Sequence, residues 1–496
     1  MVEARLRRLR PRSSWLVAAL LVALPLHYFS LRFGSTVVTL FDVLLAVAAL
    51  GHAARMLADR RFFERTVSVL RLRVFRRIHL LLGWLCVAAV IGVLRVDAEQ
   101  LEGRPLVGLV SAFEGMYLLP LIVVAALGAT ADLTRILRFV ALVWWGLVLL
   151  AFPQELAYLL GLPVNAITLA ETAANPSSVV LDVRVLRPYS IVGEPRDLAA
   201  ICVPFLLFYL FMRGRPVPRA LHVLVLIALG ALLAAVTFYG YLVLFCAYLV
   251  ARAGDRLHRA VLFRAVTVGV GTLILVGVSS IVNECPSGQE CKPRLMIVFE
   301  ELRSSGALDT SDSPEPLPET PPPRLEPGTP PPAGAGPRID LGVASQAPDL
   351  MAYRYVRDLL LLRLDPLDTL VGSGLGTFTQ AVAPYYESSF GYDPLEEGLL
   401  VNSRILPFTL LVETGLVGLF LFGWVIWTAY RSVATSGIAR GVRLPLLLLL
   451  AAFVLSSTIQ TSYVFAAGIG IVLALTLRER QDDADSRRSG SNAVGS

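Results

Sequence analysis

"RMLADRRFFERTVSVLRLRVFRRIHLLLGWLCVAAVIGVLR", residues 55–95, sets eight arginines in its first 23 positions ahead of a largely apolar run from Ile78 to Arg95. A run of that length inside lipid must be helical, because the bilayer offers unpaired backbone groups no partner. The arginines ahead of it mark the cytoplasmic end, since positively charged loops stay inside. Span and direction are thus both written in one stretch.

The same grammar repeats along the 496 residues, which are 55% hydrophobic and only 17% charged. A soluble domain is rarely so apolar. Apolar runs fall near 15–31, 36–54, 78–95, 106–127, 136–152, 197–212, 219–237, 239–251, 263–282, 400–429, 444–460 and 462–477. The predicted fold is all-α, a polytopic membrane protein of about twelve transmembrane helices. Arginine clusters at 5–12, 55–77, 135–138, 213–219, 252–264, 431–443 and 478–480 then alternate to one side, with both termini cytoplasmic. The pair 219–237 and 239–251, joined through "TFYGY", is the least secure; losing one span there would invert everything after it. Arg5 to Arg12 precede the first run and no small-residue cleavage site follows it, so it reads as a retained signal-anchor.

The chain divides into residues 1–282 with nine spans, a large outer loop 283–399, residues 400–477 with three spans, and a polar tail 478–496. The loop holds a proline-rich insert, 311–337, with 11 of the 31 prolines. Such a stretch is extended and builds no packed core; a partner-binding role is the lesser alternative. The arginines of 55–77 report orientation and headgroup contact, with an amphipathic surface helix among them. The net charge of +6 comes from loops; Lys292 is the only lysine, and no basic patch interleaved with aromatics points to nucleic acid. Cys285 and Cys291 bracket "CPSGQEC" and either close a small disulfide in an oxidising compartment or stay free thiols.

"GSGLGTF", 372–378, carries glycines at 372, 374 and 376. Thr377 stands where a dinucleotide fingerprint needs glycine, a helix rather than a strand precedes it, and no Lys-Ser/Thr pair follows. The glycines read as a tight turn packed beside the membrane.

Three blocks in order resemble the O-antigen ligase and O-antigen polymerase superfamily of bacterial polysaccharide enzymes. They are "RPYSIVGEPRDLA" (187–199), "YRYVRDLLLLRLDPLDTLVGSGLGTF" (353–378) and "LLVNSRILPFTLLVETGLVGLFLFGW" (399–424). The third departs from many ligases in having Val401-Asn402 for His-Asn, and none of the five histidines lies in the large outer loop. That departure favours a polymerase over a ligase.

The resemblance implies a GT-C-like architecture and a glycosyltransferase without cofactor, acting on an undecaprenyl-diphosphate-linked glycan at the outer face of a bacterial cytoplasmic membrane. Planar guanidinium groups suit a diphosphate leaving group. Arg187 and Arg354 are the first candidates, with Arg357, Arg196, Arg404 and Arg184 behind them. Asn402, Gly372, Gly374 and Glu413 are substrate-binding candidates. Glu194 is the candidate base, or else caps the helix opening at Pro195; Glu396, Glu397 and Glu413 follow. Glu413 alternatively satisfies a broken helix at Gly415. No acidic pair stands at metal-ligand spacing, so no metal is expected. Partners are the bilayer and, optionally, a chain-length regulator or export complex. A transporter or flippase of lipid-linked glycan and a structural scaffold are the competing classes.

Overall fold

The structure is a computed structural model. It describes residues 17–24, 30–33, 36–96, 104–127, 133–153, 177–180, 183–186, 217–233, 236–282, 351–359, 366–390, 405–434 and 466–477 apart from 475, with isolated positions around 198–211 and at 361, 394–395, 403 and 447. Arg187, Glu194, Arg196, Glu396, Glu397, Asn402, Arg404, Cys285, Cys291 and the proline-rich insert lie outside the described residues.

Helices dominate what is described. They are α1 (Leu40–Ala58), α2 (Arg60–Leu70), α3 (Arg73–Arg95), α4 (Arg104–Ala112), a π-helical turn (Phe113–Leu118), α5 (Leu119–Leu127) and α6 (Leu133–Leu149). Then come α7 (Arg219–Leu233), α8 (Val236–Ala251), α9 (Arg256–Val282), α10 (Pro366–Val371), α11 (Phe378–Phe390) and α12 (Leu406–Ala434). Five stretches are long and apolar enough to cross a membrane: Leu40–Ala58, Arg73–Arg95, Arg104–Ala126, Arg256–Val276 and Leu406–Val433. Two short antiparallel hairpins add to the all-α expectation: Ser30–Phe33 with Thr36–Thr39, and Ser177–Val180 with Val183–Leu186. Thr36-Val37-Val38-Thr39 is β-branched throughout, which suits a pleated ribbon better than a helix.

The arginine-rich stretch forms the expected amphipathic helix. In α2, Phe62, Thr66 and Val69 are buried at helical spacing while Arg60, Arg61 and Arg65 face outward. Asp59 starts it, its Oδ1 accepting from the N–H groups of Arg61 (3.0 Å) and Phe62 (3.3 Å).

α3 and α12 form the spine and run antiparallel. The Arg77 guanidinium sits 3.5 Å from the Trp424 ring centroid. Two turns along, Trp84 Nε1 donates to the Thr414 carbonyl (3.0 Å). At the far end, Gly92 packs against Gly374. Arg77 and Gly92 are fifteen residues apart, about 22 Å along the helix. The glycine turn therefore lies at the end of the bundle opposite the arginine cluster.

α7, α8 and α9 settle the local direction of the least secure pair. Gly271 of α9 meets Ile227 of α7, and Thr272 Oγ1 donates to the Ile227 carbonyl (3.3 Å). Gly230 meets Phe238 and Thr272. Small residues permit this close approach between apolar helices. α8 returns against α9, with Leu242 near Gly269 and Tyr248 near His258. α7 and α9 run parallel, and α8 runs antiparallel to them. α8 begins at Val236, so "TFYGY" falls inside it rather than linking the two helices.

Candidate functional site

Helix 351–359, α11 and the first turns of α12 share a small core of their own, built on Met351, Tyr355, Leu359, Phe378, Val382, Tyr386 and Val412. It sits at the glycine-turn end of the bundle. Most of the other buried apolar residues among those described form one larger core under the spans.

α12 is broken at Gly415 (φ 65°, ψ −169°), a conformation open in practice only to glycine. Of the nine residues before it, Leu411 and Val412 belong to the small core with Phe408 against it, while Leu406 and Leu410 join the larger one. The nineteen after it, 416–434, are about 28 Å long and suffice to cross the hydrocarbon layer. Breaking a helix orphans its last carbonyls, and here the last three find named donors. Val412 O accepts from Ser373 N and Ser373 Oγ (both 2.9 Å), Glu413 O from Gly374 N (3.0 Å), and Thr414 O from Trp84.

The glycine turn is the other half of this joint. Gly372 N donates to Asp368 O (2.8 Å), Leu375 N to Ala88 O of α3 (3.0 Å) and Thr377 N to Gly374 O (3.3 Å). Phe378 N donates to Glu413 Oε1 (3.3 Å), and the Gly376 N–H also serves that carboxylate. Every N–H from 372 to 378 is thus engaged by protein oxygen. A phosphate cradle needs free, convergent N–H groups; this turn has none to offer. Gly372 and Gly374 are buried with φ of 78° and 116°, and a Cβ on Gly374 would overlap the Gly92 backbone. Glu413 is 4% exposed, and its carboxylate serves the N-terminal turn of α11 rather than the freed groups of its own helix.

Arg95, at the end of α3, holds the turn from outside. Its Nη1 pairs with Asp368 and donates to Gly372 O (3.1 Å). Arg104 begins α4 against Gly376. Both arginines sit at the end of the spine away from the main cluster, and both were left out of the sequence-derived site.

Helix 351–359 presents the described candidate cations. Met351, Ala352, Tyr355, Val356 and Leu359 face the small core, Arg354 and Asp358 are half-buried, and Tyr353 and Arg357 are exposed. Arg357 donates to Asp358 Oδ1 through both Nε (3.2 Å) and Nη2 (3.1 Å). Tyr385 of α11 also hydrogen-bonds Asp358. Burial, then the Asp358 charge, pushes the Tyr385 phenol up to about 12, against the opposing pull of Arg357. Tyr355 stands edge-on to Tyr385 at 6.1 Å; burial, then the charge of Asp368, pushes it to about 12 as well.

The structure thus brings Arg354, Arg357, Gly372, Gly374 and Glu413 into one region. Arg184 lies apart in sequence on the second hairpin. Elsewhere, Glu114 lines an apolar cavity of about 600 Å³ with Ala46, Leu82, Cys86 and Leu109. Among the described residues, no group of three His, Cys, Asp or Glu could hold a metal ion. No protein family and no curated protein matches this chain.

Proposed function

We propose that this chain is a membrane-embedded glycosyltransferase that polymerises polyprenyl-diphosphate-linked oligosaccharide repeat units at the outer face of a bacterial cytoplasmic membrane. The observation that carries the reading is positional. Arg354 and Arg357 stand at the bundle end opposite the arginine cluster, on a helix fixed to the membrane spine through the glycine turn and the Gly415 break. Under the positive-inside rule that end is extracytoplasmic. The three-block resemblance supplies the substrate class.

In this reading Arg354 and Arg187 hold the lipid diphosphate as its negative charge grows during glycosidic cleavage. One well-placed donor of this kind contributes about 3–4 kcal/mol in the transition state. Arg357, Arg196, Arg404 and Asn402 bind substrate around them, and Glu194 is a candidate base. Gly372, Gly374 and Glu413 act by shaping the joint, because their groups are engaged within the fold.

A ligase that transfers finished glycan is the neighbouring alternative. A transporter also uses broken helices with intramembrane acids. The groups freed at Gly415 are capped by protein, which speaks for a fixed joint over a moving one. The deciding experiment is mass analysis of lipid-linked glycans in a deletion strain. Accumulated single repeat units support the polymerase, long polymer retained on the lipid indicates the ligase, and an unchanged lipid-linked pool rejects both. Arg354→Ala with normal protein level should reproduce the deletion.

A further inference from the structure

Glu114 takes no part in the glycine joint or in the candidate site. It stands near the middle of the apolar stretch Arg104–Ala126, about 15 Å along the helix from Arg104. An ionisable group at that depth is costly, and such groups are ordinarily paired. Among the described residues, the Glu114 carboxyl has neither a hydrogen bond nor an ion pair. Its backbone carbonyl accepts from the Leu119 N–H, the wide step that defines the π-helical turn Phe113–Leu118. Turns of this kind often mark functional sites.

The side chain instead lines the apolar cavity of about 600 Å³. Small-molecule sites run from roughly 300 to 1,000 Å³. The walls come from three spans: Ala46 of α1, Cys86 of α3, and Leu109 and Phe113 on the stretch that carries Glu114. Glu114 alone among the described lining residues carries charge. Asp42 stands one turn before Ala46 on α1, and its charge bears on Glu114. The cavity therefore joins apolar walls and an aromatic ring to a carboxyl, with a second acid close by. A ring face and a carboxylate both attract positive charge.

We infer that this cavity binds an amphiphilic organic cation, a phosphonium or quaternary ammonium on an apolar body, with Glu114 as counter-charge and Phe113 as aromatic wall. The inference does not rest on the glycosyltransferase reading. A hard metal cation does not fit, because it needs several oxygen ligands and the lining side chains offer those of Glu114 alone. The headgroup amine of a bilayer lipid does not reach, because headgroups stay at the edge of a hydrocarbon layer about 30 Å thick and Glu114 is near mid-span. A cation that carries its own apolar surface meets both the depth and the walls.

The test uses tetraphenylphosphonium and tetraphenylborate, alike in size and shape and opposite in charge. Cys86 reports from inside the cavity. The full chain, with Cys202, Cys246, Cys285 and Cys291 replaced by alanine, is placed in nanodiscs of zwitterionic lipid and alkylated with N-ethylmaleimide. Tetraphenylphosphonium should protect Cys86 in a saturable way, and tetraphenylborate should not. Glu114→Gln should weaken the protection about tenfold or more, as expected for loss of one desolvated charge partner. Phe113→Leu should weaken it several-fold. Equal protection by both ions would mean that the cavity reads size alone and overturns the inference. Unchanged protection in Glu114→Gln overturns it too. Absence of protection by the phosphonium also overturns it, and leaves a proton as the counter-charge of Glu114. If Glu114→Gln does not fold, the contrast between the two ions on the parent chain decides. If Cys86 resists alkylation, equilibrium dialysis of the same two ions decides: saturable retention of the cation alone, above that of empty nanodiscs, supports the site, and no excess rejects it.

Discussion

Gly374 and Gly83 are both glycines on or against α3, yet they predict opposite outcomes. A Cβ at Gly374 would fall on the Gly92 backbone, and its φ of 116° strains any other residue. Gly374→Ala should cost roughly 1–3 kcal/mol for the backbone conformation alone and more for the overlap. Gly83 has nothing within 4 Å of its added Cβ, so Gly83→Ala should be neutral or gain up to about 1 kcal/mol in helix propensity. Thermal unfolding of both variants in one detergent checks the pair, and equal shifts would contradict the interlock. Tyr355 and Tyr385 give a pH prediction at the same scale. Their folded-state values, about 12, lie above the ordinary 10 of an unfolded tyrosine. Their contribution to stability is then complete below pH 10 and is lost as pH rises through 12. Ultraviolet titration at pH 11 should show one fewer ionisation-resistant phenol in Tyr385→Phe than in the wild type.

At the scale of the element, the joint between the glycine turn and α12 depends on acceptors placed where donors would otherwise be orphaned. Glu413→Ala removes the acceptor serving the first N–H groups of α11 and should cost about 1–3 kcal/mol. Glu413→Gln keeps a carbonyl oxygen there and should cost less; the order of the two melting temperatures is the measurement. Much of this joint was legible in sequence. Gly372, Gly374 and Gly376 declared a turn, and Glu413 before Gly415 declared a possible helix break. Their pairing was not legible, because "GSGLGTF" and "VETG" are some forty residues apart and each taken alone satisfies only local rules. Arg95 and Arg104 were overlooked for a different reason, since span-finding treats an arginine at the end of an apolar run as a boundary marker and asks nothing further of it.

The whole molecule rests on polarity from end to end: arginines at one end of the spine, the glycine joint and its tyrosines and acids at the other. Ser68 on α2 and Tyr353 on helix 351–359 are exposed representatives of the two ends. In a variant whose five native cysteines are replaced, Ser68→Cys and Tyr353→Cys can each be challenged with a membrane-impermeant maleimide on intact spheroplasts. Tyr353→Cys should label from outside without permeabilisation, and Ser68→Cys only after it. The order follows from α3 alone, whose Arg77 and Gly92 ends lie about 22 Å apart along one apolar helix. Labelling of both from one side would mean that α3 lies along the membrane rather than through it. Labelling in the reverse order would keep the fold, move the joint to the cytoplasmic side and overturn the proposed outward-facing site.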